Sequence, residues 1–270
     1  MLRLSGEGAA TFFLGDSTAD FAKALKAHVI YLEHRYYGES QPYSDLTTEH
    51  LQFLTLDNVM EDTAAFEKWA KADLHLTGKW ITIGGSYSGT LSAIFRFLHP
   101  ELVVGALAAS APIMSDPGNQ VEGSETASFY SSTAIADYPA VGDRQWIYQS
   151  CKEIGFWESF GTVFEEPSDA LCTTLFGFTQ AANKDAWNKS YYTPFLSTAP
   201  GAPSNILFTN GSDDVWAGIS ITPDKNSNPG ITSILIQGAG HHWDLDPTQT
   251  APEVQNARNQ FLKLADGWLK

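Results

Sequence analysis

The chain has 270 residues, enough for one large domain or a domain carrying an insertion. Hydrophobic residues make up 43% and charged residues 17%, which calls for a packed core and excludes wholesale disorder. The formal charge of −15 argues against a nucleic-acid partner, and no apolar stretch approaches the roughly 20 residues of a membrane span.

Met1-Leu2-Arg3-Leu4 has neither the basic start nor the long apolar stretch of a signal peptide. Either the protein is cytoplasmic or an upstream piece is missing. Leu2–Leu4 reads as a short strand followed by the loop Ser5-Gly6-Glu7-Gly8. Ser17–Ala27 has helical spacing, and His28–Leu32 reads as a strand. Glu33–Ser40 is a polar turn rich in aromatics. Leu56–Ala72 reads as an amphipathic helix with Val59, Phe66 and Trp69 near one face. Trp80–Ile83 is a strand, Tyr87–Leu98 a helix ending before Pro100, and Leu102–Ala109 a buried strand. Strands alternating with helices predict a parallel sheet with right-handed crossovers.

After Met114 the pattern changes. Residues 115–202 show no clear strand, while Arg144–Glu153 and Glu166–Phe176 look helical. This stretch reads as a mostly helical cap inserted into a domain formed by residues 1–114 and 203–270. Strands resume at Asn205–Phe208 and Ile231–Ile236, and a helix over Val254–Leu269 closes the chain. Cys151 and Cys172 lack zinc-ligand spacing. They are either one bridge closing a loop of about 20 residues or two buried thiols.

The chemistry concentrates after three strands. Gly84-Gly85-Ser86-Tyr87-Ser88-Gly89 follows Trp80–Ile83 and has the form of a nucleophile elbow, in which small neighbours let the backbone turn sharply and present a serine hydroxyl. Ser88 stands where the usual Gly-x-Ser-x-Gly pattern has its last glycine. Asp213 and Asp214 follow the strand ending at Phe208, and His241-His242 follow the strand ending at Ile236. Sites in open α/β sheets lie at these strand ends. The order Ser, Asp, His is that of the α/β-hydrolases. A neutral serine needs a histidine to take its proton, and the histidine needs a carboxylate to fix its tautomer. The Tyr87 N–H is the natural first donor to an oxyanion. A second can come from the loop at Gly6–Ala9. The bland readings are turn aspartates and surface histidines.

Four blocks together resemble one family. They are Glu33-His34-Arg35-Tyr36-Tyr37-Gly38-Glu39-Ser40, the Gly-Gly-Ser-Tyr-Ser-Gly elbow, Asn210-Gly211 with Asp214-x-Trp216, and His241-His242-x-Asp244-Leu245. The resemblance is to the serine peptidases that include lysosomal Pro-Xaa carboxypeptidase, dipeptidyl peptidase II, thymus-specific serine protease and fungal prolyl endoproteases. It implies an α/β-hydrolase fold with a helical cap and cleavage beside proline. By position it implies Ser86 as nucleophile, Asp214 rather than Asp213 as acid, and His241 as base, with His242 the runner-up. Tyr87 and Gly6 are the expected oxyanion donors. Trp216 is the implied wall of a proline pocket and Trp243 a candidate for another, since an indole face suits a pyrrolidine ring. Ordinary core packing is the alternative for both. Glu7 or Glu39 is a candidate partner for a substrate ammonium, or simply a loop acid. Arg35 is expected to anchor Glu33 or Asp57.

Trp146-x-x-Gln149-x-Cys151-x-Glu153-x-Gly155-Phe156 and Leu171-Cys172 also resemble pieces of the family's cap. This implies the Cys151–Cys172 bridge and a secreted, periplasmic or lysosome-like setting. The chain departs from the family at Val215, where proline is usual, and in the shortness of its cap. No cofactor and no metal are expected: Gly6-Glu7-Gly8 lacks the context of a dinucleotide loop. A peptide, proline-containing, is the expected partner, and a homodimer is compatible with the reading. Two other readings stand beside the peptidase: an esterase or lipase on the same fold, and a truncated, catalytically silent binding protein.

Overall fold

The structure, a computed structural model, describes residues 1–115, 131–137, 142–156, 168–179 and 182–270. Six strands form one parallel sheet: β1 (Leu2–Leu4), β2 (Ile30–Leu32), β3 (Trp80–Gly85), β4 (Val103–Ala109), β5 (Ile206–Gly211) and β6 (Ile231–Ile236). Their order across the sheet is β2-β1-β3-β4-β5-β6. Every neighbouring pair is parallel, so each connection must cross a face of the sheet. All six strands coincide with runs legible in the sequence.

Side chains alternate between the faces, as the pleat requires. Leu2, Leu4, Trp80, Ala106, Ala108, Ile206 and Phe208 point to one side. There they pack against α2 (Leu56–Asp73) and α3 (Tyr87–Leu98). Ile81, Ile83, Leu107 and Leu207 point to the other, towards Phe21 and Ala22 of α1 (Thr18–Ala24) and Phe261 and Ala265 of the C-terminal helix Pro252–Leu269. Both faces are covered, which is why these strands are apolar almost throughout.

The buried stripe of α2 differs from the expected one. It runs through Leu56, Val59, Met60, Thr63, Ala64, Glu67 and Ala70, whereas Trp69 is exposed. The period of 3.6 places Trp69 off the line set by Val59 and Ala70.

Between Met114 and β5 the described residues are helical: α4 (Asp143–Gln149), continued by a π-helical turn at Ser150–Ile154, then α5 (Ser168–Phe176), α6 (Lys184–Trp187), a second π turn at Asn188–Tyr192, and α7 (Thr193–Phe195). The expected helix beginning at Glu166 is described only from Ser168; its first two residues lie outside the described residues. The C-terminal helix is therefore α8. Cys151 and Cys172 are joined by a disulfide that ties the π turn to α5. The cap packs on the aromatic block through Tyr36, Tyr37, Ile147, Tyr148, Cys151, Cys172 and Phe176. Among the described residues no helix is long and apolar enough to cross a membrane.

Candidate active site

Ser86 sits between β3 and α3 with φ 58° and ψ −134°, a backbone conformation that a residue with a Cβ adopts only under strain. The surroundings hold it there. The Ser86 N–H donates to the Ala109 carbonyl at 2.9 Å, and its own carbonyl accepts from Gly89 and Thr90 at 2.8 and 3.1 Å. The glycines are steric necessities. A Cβ on Gly84 would lie 1.9 Å from the Ser88 carbonyl oxygen. One on Gly85 would lie 2.9 Å from Leu245 Cδ1 and 3.3 Å from the His242 ring. The histidine loop therefore rests directly on the residue before Ser86.

Ser88, the departure from the usual pattern, is buried and fastens the elbow. Its hydroxyl donates to the Gly85 carbonyl at 2.8 Å and accepts from the Gly85 N–H at 3.0 Å. It also accepts from Arg3 Nη1 at 3.0 Å. Arg3 is buried and paired with Asp16 at 2.7 Å. Gly6 packs against Ser88, since a Cβ there would come within 3.5 Å of the Ser88 nitrogen. This brings the Ser5–Gly8 loop to the N-terminus of α3, beside Tyr87.

Asp214 and His241 meet at the ends of β5 and β6. His241 Nδ1 is 3.0 Å from each oxygen of the Asp214 carboxylate. The Asp214 carboxyl is fully buried, and His241 is about one-third exposed. A carboxylate can only accept, so Nδ1 carries a proton, and in the neutral ring that tautomer puts the lone pair on Nε2. Burial pushes the Asp214 carboxyl up, but hydrogen bonds from His241, Ser110 and the Trp216 N–H outweigh it. The net position lies below the usual carboxylate range. Asp213, by contrast, is exposed, and its carboxylate accepts from its neighbour Ser212.

His242 is turned away from this role. Its φ is 39°, its N–H donates to Ser110 Oγ at 2.7 Å, and its ring lies against Gly85 and the His241 ring. Burial first, and then the neighbouring His241, push it down to about 4. Trp216 is buried, with its ring centroid 6.5 Å from that of His241. Trp243, two residues beyond His241, is partly buried and packs with Ile236, Ala239, Val254 and Ala257.

Glu7 is half-buried. Burial, the largest influence, pushes its carboxyl up to about 7, against the pull of its own N–H, His241 and Arg3. Glu39, its fellow candidate, donates its N–H to Glu33 and accepts the Gln41 N–H at its carbonyl. Glu33 is the centre of that turn: its carboxylate also accepts the N–H groups of Ala10 and Ser40. Arg35 pairs with neither Glu33 nor Asp57. It makes a two-pronged contact with Asp62, at 2.6 and 2.7 Å, further along α2 than Asp57.

Three supporting residues had no signal as such in the sequence. Ser110, at the end of β4 with φ 48°, holds the His242 N–H and contacts Asp214. Thr209 donates to the buried Asp244 at 2.7 Å. Arg258, buried on α8, donates to the carbonyls of Trp243, Asp244, Asp246 and Gln249 and so fixes the loop that follows the histidines. Among the described residues no group of three or more His, Cys, Asp or Glu is gathered to hold a metal.

The family described as "Serine carboxypeptidase S28" matches residues 1–117 and 117–261. The Arabidopsis thaliana "Probable serine protease EDA2" is 37% identical over an alignment of 383 positions, covering 97% of this chain and 77% of that protein. The mouse thymus-specific serine protease is 24% identical over 414 positions, covering 100% and 80%. Both alignments are far longer than 270 positions, so these relatives carry internal stretches that this chain does without. Human lysosomal Pro-X carboxypeptidase is 48% identical over 99 residues, 35% of this chain and 20% of that protein. Among solved structures, an esterase of Pyrococcus furiosus superposes with a TM-score of 0.53 at 12% identity, covering 100% of this chain and 81% of that one. A fungal esterase of Rhizomucor miehei gives 0.54 at 12% identity, covering 99% and 74%. The architecture is that of the α/β-hydrolases.

Proposed function

The chain belongs to the serine carboxypeptidase S28 family, a family of serine hydrolases, and from that premise we propose that it cleaves peptides beside proline through Ser86, His241 and Asp214. The observation that carries the reading is the His241–Asp214 pair, with Nδ1 3.0 Å from both oxygens, on a loop that rests against the strained Ser86 elbow.

His241 Nε2 takes the Ser86 proton as Oγ attacks the peptide carbonyl. The imidazolium that forms is stabilised by the buried Asp214 carboxylate. The Tyr87 and Gly6 N–H groups receive the developing oxyanion. His241 then returns its proton to the leaving amine, and water releases the acyl group by the same steps. Trp216, beside His241, is the proposed wall for the proline ring. Glu7 is the proposed contact for a substrate amino group. It can hold an ammonium only when ionised, so this contact strengthens as pH rises towards 7.

The kinship to lysosomal Pro-X carboxypeptidase and the Cys151–Cys172 bridge favour an exported or lysosome-like compartment, where disulfides persist.

The test uses three dye-labelled substrates at pH 4–7: a Lys-Pro amide, a blocked Gly-Pro amide, and a blocked peptide ending in Pro-Phe. Cleavage of one, lost in Ser86→Ala, supports the peptidase and tells which terminus it reads. A folded protein that cleaves none of them but hydrolyses p-nitrophenyl esters is an esterase. One that also resists a fluorophosphonate has no working serine.

A further inference from the structure

Tyr87 follows the strained Ser86 directly, so its placement decides where the first oxyanion donor points. Its side chain is buried and held by hydrogen bonds from two directions. Gln149 Nε2, from the end of cap helix α4, donates to the Tyr87 hydroxyl at 2.7 Å. His34 Nε2, from the turn after β2, lies 3.3 Å from the same oxygen. Tyr37 donates its hydroxyl to Gln149 Oε1 at 2.6 Å.

The direction of each bond follows from its neighbours. His34 Nδ1 is 2.6 Å from the Arg35 carbonyl, which can only accept, so Nδ1 carries the proton and Nε2 accepts. The Tyr87 hydroxyl therefore donates to His34 and accepts from Gln149. Gln149, Tyr87 and His34 each accept one bond and donate one, so the chain runs in a single direction. Rings close the same clamp: Trp146 of α4 lies 5.4 Å from the Tyr87 ring and His34 lies 5.6 Å from it. A further strap joins the cap to the loop carrying the second donor, since the Gly142 N–H donates to the Glu7 carbonyl at 2.8 Å.

A residue in a sparsely populated backbone region persists only where its flanks are over-determined. Around Ser86 part of that constraint comes from the Ser88–Gly85 pair, which spans it within the hydrolase domain. The rest, at Tyr87 on its C-terminal side, comes from the cap. We propose that Gln149 is a positioning residue for the oxyanion donor: by holding the Tyr87 hydroxyl it makes docking of the cap a condition for catalysis. This rests on Ser86 being the nucleophile.

Gln149→Met, Tyr87→Phe and the double variant test it, with a fluorophosphonate and a small p-nitrophenyl ester as probes. Each single change is expected to slow labelling of Ser86 and lower kcat for the ester by about 10-fold or more, a part of the roughly 100-fold that loss of an oxyanion donor costs. KM for the ester should stay within about twofold, as it does when only the transition state loses an interaction. If both act through one hydrogen bond, the double variant is no slower than the slower single. Circular dichroism and cooperative unfolding establish that each variant is folded. Should Tyr87→Phe not fold, Gln149→Met makes the comparison alone. Folded variants labelled at the wild-type rate, or effects that multiply in the double variant, overturn the proposal. Failure of the wild type to label, or equal labelling of Ser86→Ala, overturns the nucleophile assignment instead.

Discussion

Ser88 and Gly85 grip each other across the elbow, the serine hydroxyl donating to the glycine carbonyl at 2.8 Å and accepting from its N–H at 3.0 Å. The methylene-and-hydroxyl that replaces the usual glycine hydrogen thus does work a glycine cannot. Ser88→Ala should destabilise the fold by about 1–3 kcal/mol, because it strands the Gly85 N–H and one hydrogen of buried Arg3. It should also lower kcat, since the fastening lies one residue from Ser86. Urea unfolding and steady-state kinetics measure the two effects; an unchanged midpoint would mean that water or a shifted loop replaces the bonds.

Asp214→Asn should reduce kcat by up to about 10⁴ with the fold intact, because an amide can present its N–H to His241 Nδ1 and favour the wrong tautomer. Asp213→Asn should leave kcat within about twofold, as expected for an exposed residue away from the histidine. The reverse order would assign the acid to Asp213.

Glu7 gives the protein a signed pH dependence. Its carboxyl titrates near 7 in the fold against 4.5 when unfolded. The folded state therefore holds the extra proton between these values, and Glu7's contribution is full below about 4.5 and lost as pH rises through 7. Glu7→Gln removes this slope. The melting temperature of Glu7→Gln relative to wild type should accordingly climb from pH 4.5 to pH 7. A constant difference would show that Glu7 titrates normally.

Arg258 is a buried cation under the histidine loop's exit, spending its guanidinium on four carbonyls. Arg258→Leu should cost about 1–3 kcal/mol, since four carbonyls lose their donor and the one of Asp244 is buried. Thermal unfolding measures it, and kcat should fall as well if His241 depends on that loop for its register. Full activity with lowered stability would confine Arg258 to scaffolding.

The strands were legible because each is a short β-branched or apolar run followed by a turn, and burial on both faces leaves such runs little polar content. The elbow, Asp214 and His241 were legible because each lies just past such a run. What escaped was decided by tertiary partners. The helical period alone turns Trp69 away from the sheet, but nothing local says that Glu67, two residues earlier, is buried beside Lys71. Arg35 chose Asp62 over Glu33 because Glu33 is engaged by three N–H groups and Gly38 leaves it the space: a Cβ there would fall 2.2 Å from its carboxylate. Trp243 packs on Val254 and Ala257 of α8, whose apolar stripe is visible in the sequence but whose docking site is not. In the cap, the short turns at Lys184–Trp187 and Thr193–Phe195 are too brief to show a period.

The left-handed backbone at Ser86 has a thermodynamic corollary. Any side chain with a Cβ is held there at a loss, and glycine is the residue that escapes it. Ser86→Gly should therefore unfold at a temperature no lower than wild type, and by about 1 kcal/mol in its favour where the relief exceeds the added flexibility of the unfolded chain. The chain would become a better-built object by discarding its reactive group. Such an inversion, in which mutation of a buried-strand terminus improves durability, marks the place where durability has been traded for chemistry, and calorimetry can read it without any substrate in hand.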